Sequence, residues 1–198
     1  MRDWRARPWR CGAAAIFDPY HRRIDEIIDQ RLHEGRPTVL LSLHSFTPVY
    51  AGIARPWHIG TLYHRDRTLP PLLLKALRGE ADLVVGDNEP YAVSDETDYT
   101  VPVHGEMRGL LNTGIEIRQD LISDQAGEKD WADRLARILG EIEIVLHAER
   151  VDLTRPRQRE PDAAADHEAA GNARHQPRPT ASRRISALVP RAAHRSRR

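Results

Sequence analysis

The chain has 198 residues, 40% of them hydrophobic and 30% charged, which suffices for one buried core with polar segments outside it. Thirty basic residues against 29 acidic ones give a formal charge of +1, so no global field draws nucleic acid, a membrane or an acidic polymer as partner. The single cysteine, Cys11, excludes an intramolecular disulfide framework and a cysteine-based structural zinc site, and leaves any metal to His and carboxylates.

No apolar run reaches the roughly 20 residues that cross a bilayer, and the Arg-rich start Met1–Ala15 lacks the apolar stretch of a signal peptide. The expectation is a cytoplasmic protein. From Ala14 to Glu34, Ile24, Ile27, Ile28 and Leu32 fall on one helical face opposite charged residues, and Gly35 stops the helix. Val39–Leu43 is a continuous apolar run of the kind expected for a buried parallel strand, with His44 where it ends. Trp57–Tyr63 reads as a second strand, and Pro71–Arg78 as a helix with Leu72, Leu73, Ala76 and Leu77 inward. Asp82–Gly86 is a third strand running into Asp87, Asn88, Glu89 and Pro90. The segment Tyr91–Asn112 is long, polar and aperiodic, which in a compact domain marks a functional loop. Gly114–Arg118 is a fourth strand, and Gln125–Leu146 the longest helix, with Trp131, Leu135, Ile138, Leu139 and Ile142 at helical spacing.

Strands separated by helices predict an α/β fold, a mostly parallel sheet flanked by helices. From Val151 onward Arg, Ala, Pro and His dominate, and such text cannot bury enough surface to offset its chain entropy. The expected organisation is a distinct N-terminal segment over 1–15, an α/β domain over 16–150 and a disordered tail over 151–198.

Ligands of open α/β sheets bind beyond the carboxyl ends of strands, which singles out His44, Asp87 with Asn88, and Glu116 with Arg118. An imidazole and a carboxylate delivered by separate strands suit a metal-assisted hydrolase, although a lone His there also serves as a hydrogen-bonded structural residue. Glu116 lies inside an apolar strand with Ile115 and Ile117 on the opposite face, so its charge needs an ion-pair partner or a chemical task. Arg118, two residues on, is expected on the same face, as that partner or as a carboxylate receptor.

The motifs HSFTP, RPWHIG, GDNEPY, VPVHG and EIRQDLI, in this order, resemble those of N-formylglutamate amidohydrolases. The resemblance runs from about Ile16 to Leu146. It implies a zinc carboxypeptidase-like (phosphorylase/hydrolase-like) core and hydrolysis of a small N-acyl amino acid, N-formyl-L-glutamate giving formate and glutamate, as in histidine degradation. On that resemblance His44 matches a zinc-ligating His, and Glu116 the carboxylate that acts as general base and later as acid. Arg55, Arg65 and Arg118 are candidates for the substrate's carboxylates, His104 for the oxyanion, and Asn88, Asp87 and Tyr91 for the pocket wall, each against a plainer role in turns and packing. Relatives carry a His motif and an acidic metal ligand upstream of the matched part, and Met1–Ala15 holds no His. A core incomplete at its N-terminus is therefore expected, with zinc held by one ligand where three are wanted, weak or absent turnover, and an open sheet edge suited to self-association.

Overall fold

The computed structural model describes residues 13–157; residues 1–12 of the N-terminal segment predicted over 1–15, and residues 158–198 of the tail predicted over 151–198, lie outside the described residues. Six strands and three α-helices follow one another. A π-helical turn, Ala13–Phe17, leads into α1, Asp18–His33. Then come β1, Val39–Phe46, the short hairpin β2, Val49–Tyr50, and β3, Ile53–Ala54, and β4, Ile59–Leu62. Helix α2, Leu69–Arg78, and β5, Val85–Asp87, precede a second π-helical segment, Thr100–Glu106. Strand β6, Leu111–Arg118, a 3-10 turn, Gln119–Ile122, and α3, Gln125–Ala148, complete the order.

The main sheet has the order β1-β6-β4-β5. The pairs β1/β6 and β4/β5 are parallel, and β4/β6 in the middle is antiparallel. The expected α/β class and mostly parallel sheet are thus present, with one reversal that the helix–strand alternation does not reveal. Its source is the β2–β3 hairpin, which turns the chain between β1 and β4 through Ala51 and Gly52, both at positive φ.

Alternation along β6 sends Leu111, Ile115 and Ile117 to one face, where they pack with Leu69, Leu73 and Leu77 of α2 and Trp131, Leu135, Ile138, Ile142 and Leu146 of α3. Leu73, Leu77 and Ile59 are fully enclosed. Helix α3 begins at Asp124, whose side chain accepts a hydrogen bond from the Gly127 N–H, the cap expected of an Asp at that position. The amphipathic reading of α1 holds for Ile28, which is buried, whereas Ile27 is exposed.

Two strands are longer than their apolar runs. β1 continues three residues past Leu43, so His44 stands within the strand. β6 starts at Leu111, inside the predicted loop. Polar residues there keep strand geometry because neighbouring strands take up their backbone groups in register, from Val39 opposite Leu111 to Phe46 opposite Arg118.

A candidate active cleft on the polar face of the sheet

The second face of the sheet carries the even-numbered side chains of β1 and β6. His44 and Glu116 are register partners on adjacent parallel strands, so alternation delivers both to the same side. Both line a cleft of about 470 Å³ with Ser42, Leu62, Gly114 and the segment from Tyr91 to Val101. Its floor is sheet, and its wall is the long polar stretch predicted to be a functional loop.

That wall is brought close by two glycines. A β-carbon on Gly60 would stand 1.9 Å from the Glu89 carbonyl oxygen, and one on Gly86 2.6 Å from the same atom, so the chain after β5 can cross β4 only because both side chains are missing. The crossing carries Tyr91 over the cleft.

Glu116 is only 8% exposed, and its Oε2 is buried without a hydrogen-bond partner among the described residues. Burial raises its pKa above the ordinary value, with Asp98 pushing the same way and His44 and Arg55 opposing. A desolvated carboxyl with an unused oxygen facing a cleft holds its proton more firmly than a solvated one and is placed to exchange it with a bound molecule. On the neighbouring strand, the His44 imidazole Nε2 meets the Ser42 hydroxyl at 2.8 Å. Ser42 is two residues from His44, so strand alternation alone would have placed it here.

The three candidate arginines have separate fates. Arg65 is paired with Asp95 at 2.5 Å and with Glu106 at 2.7 Å. Arg118 does not pair with Glu116: its Nε binds Asp120 at 2.7 Å, and Nη1 reaches the Pro56 and Trp57 carbonyls. Arg118 lies on the same strand face as Glu116, but Asp120 on the following turn takes its guanidinium instead. Arg55 is 9% exposed, donates to the Tyr91 hydroxyl at 2.8 Å and lies between the rings of Tyr50 and Tyr91, with no acidic partner among the described residues. Its charge still acts on Glu116.

Neither His104 nor Asn88 lines the cleft. His104 is fully buried, bonded to His21 Nδ1 at 2.8 Å and to Asp25 Oδ1 at 2.9 Å, and so fastens the Thr100–Glu106 segment to α1. Asn88 is a turn residue with φ of 52°, its side chain accepting from the Tyr63 N–H at 2.8 Å. Asp87 binds the Tyr63 hydroxyl and Arg78. The structure adds Asp98 and Tyr99 to the wall, which no periodicity in the loop pointed to.

For a metal, the described residues of the cleft offer one imidazole, His44, and two carboxyl groups, Asp98 and Glu116, but these do not converge at metal-ligand spacing, so they do not by themselves fit the ion. A grouping with metal-ligand spacing lies elsewhere: one ligand atom each from His64, Asp95 and Glu106, all within 4.8 Å of one another. The Arg65 guanidinium already bridges those two carboxylates, Nη1 lying 2.8 Å from Asp95 Oδ1 and 2.7 Å from Glu106 Oε2, and supplies the cation there.

The family model for N-formylglutamate amidohydrolase matches residues 5–123, more than half of the chain. The chain belongs to the N-formylglutamate amidohydrolase family. In the family match, His44 and Glu116 both fall within the covered region. A gene product of Agrobacterium tumefaciens, solved by crystallography, is similar in fold, with a TM-score of 0.65 and 37% identity. The similarity covers 68% of this chain and 53% of that one, so the chain spans about half the length of that relative. No curated protein matches. Among the described residues no helix is long and apolar enough to cross a membrane.

Proposed function

We propose that the cleft is the core of an amidohydrolase site acting on an N-acyl amino acid, with Glu116 as the proton-transfer group. The observation that carries this reading is the buried, unpartnered Oε2 of Glu116 facing a cleft beside His44. Family membership supports it. Glu116 accepts a proton from water as the oxygen attacks the acyl carbonyl, and returns it to the amide nitrogen as the C–N bond breaks, leaving a carboxylic acid and a free amine. Its raised pKa suits both halves, since the group must hold a proton between them. Arg55 lies behind the cleft-lining Tyr91, to whose hydroxyl it donates, and with no acidic partner among the described residues it is the cation assigned to the substrate carboxylate, reached by displacement of Tyr91. His44, oriented by Ser42, is the one imidazole available in the cleft to a zinc ion or to the developing oxyanion. With further metal donors wanting among the described residues, turnover is slow.

Zinc titration of the purified chain and formate release from N-formyl amino acids, each with and without Glu116→Gln, test the reading. Slow formate release that falls at least about a hundredfold in the variant supports it; release that survives the substitution removes Glu116 from the chemistry. Zinc uptake is expected to be weak. Tight stoichiometric zinc would mean that a complete ligand set assembles.

A second reading rests on β1. It is an edge strand of eight residues, and Leu43, on the face shared with the core, is 61% exposed. Among the described residues no strand pairs with the outer side of β1, and an open edge of this length favours pairing with a second copy.

A further inference from the structure

Along the segment from Tyr91 to Val101, most of the wall has fastenings of its own. The Tyr91 hydroxyl accepts from Arg55, Asp95 is held by Arg65, and Val101 packs with Leu62 and Val93. Tyr99 also lines the cleft, yet it is 39% exposed and among the described residues its hydroxyl has no hydrogen bond. What meets its ring is aromatic: Phe17 edge-on at 4.8 Å, His21 at 4.3 Å and His104 edge-on at 5.7 Å between centroids. Phe17 and His21 stand four residues apart at the start of α1 and so share one helical face. His21 is in turn held from behind. The Asp25 carboxylate takes Arg108 and accepts from His104 Nδ1 at 2.9 Å, which leaves His104 Nε2 to accept from His21 Nδ1 at 2.8 Å. Buried to 8% exposure, His21 cannot turn away from Tyr99 without giving up that bond.

Resting on the reading of this cleft as a substrate site, we infer that His21 is a positioning residue for it. Its imidazole, fixed through His104 and Asp25, holds the Tyr99 ring at the cleft and so sets how a ligand packs there. His21 itself does not line the cleft. The ring face and the ring nitrogen have separate tasks, the face toward Tyr99 and Nδ1 toward His104.

Two substitutions divide these tasks. His21→Asn keeps an N–H donor close to the Nδ1 position and removes the ring, whereas His21→Phe keeps a ring and removes the donor. A purely structural His21 makes Phe the damaging change, since it strands the buried His104. Positioning reverses that order. Calorimetric titration of the full chain with N-formyl-L-glutamate is expected to show binding about three- to tenfold weaker in His21→Asn, the size of one aromatic contact, and within about twofold of the original in His21→Phe. Hydrogen exchange near neutral pH gives a reading without ligand. Protection of the Asp98 and Val103 amides, which donate to the Ser94 and Tyr99 carbonyls at 3.0 and 2.9 Å, falls in His21→Asn and is kept in His21→Phe. Unchanged binding in His21→Asn overturns the inference, as does a loss in His21→Phe as large as that in His21→Asn. Should His21→Asn not fold, Phe17→Leu, which loses the edge-on contact with Tyr99 and no hydrogen bond, is read in its place. No binding by the unaltered chain removes the hydrolase reading; the exchange pattern then decides the inference, and unchanged protection in His21→Asn overturns it.

Discussion

A buried carboxyl that keeps its proton leaves a thermodynamic trace. The native chain holds Glu116 protonated over an interval that opens at the ordinary glutamate value of 4.5 and closes at the raised one, whereas the unfolded chain has already released that proton. Stability therefore falls as pH rises through this window. Glu116→Gln is expected to raise the melting temperature near neutral pH and to leave it unchanged at about pH 4, where native and unfolded chains both carry the proton. Thermal melts of both proteins at the two pH values measure this directly. A variant stabilised equally at both would show that the carboxyl is solvated. His44 and Glu116 were legible because strand alternation and an apolar flank say which face a residue takes. What a residue on that face binds was not legible: Arg118 turns to Asp120, Arg65 to Asp95 and Glu106, and only the folded chain shows Arg55 without an acid.

At the level of elements, the cleft wall depends on a contact between distant parts of the sequence. His21 of α1 and His104 of the π-helical segment are 83 residues apart and share a hydrogen bond, with Asp25 closing the chain and Arg108 bound to Asp25 and Asp29. Burial, and then the charge of His104, lower the pKa of His21 below its ordinary 6.5. Stability from this junction is complete above that value and is lost as pH falls through the depressed one. Protection against hydrogen exchange, taken relative to the intrinsic rate at each pH, is expected to fall together in residues 18–33 and 100–106 as pH drops below about 6.5, ahead of the β6 core. His104→Ala, which strands the buried His21 and leaves the half-exposed Asp25 to Arg108, should cost about 1–3 kcal/mol by denaturant melts. Neither histidine announced this role. In the sequence His21 sits in a helix whose charged face looked solvated, and VPVHG reads as loop.

For the whole molecule, the fold class followed from the alternation of strand and helix, and the core from helical spacing: Trp131, Leu135, Ile138 and Ile142 are all buried. The reversal of β4 against β6 was hidden, because a two-residue-per-strand hairpin is too short for any periodicity to register. The open edge of β1 gives the remaining expectation. Sedimentation velocity over a concentration series should show reversible association, and Leu43→Lys, a charge on an edge strand, should abolish it. A monomer at every concentration would leave β1 unpaired in solution. The parallel register of β1 and β6 also sets a condition on productive folding. Slippage by a single position would turn either the imidazole or the carboxylate to the far side of the sheet while leaving helix and strand content untouched. Circular dichroism would miss such misthreaded chains; a chelating or crosslinking probe spanning the two side chains would count them.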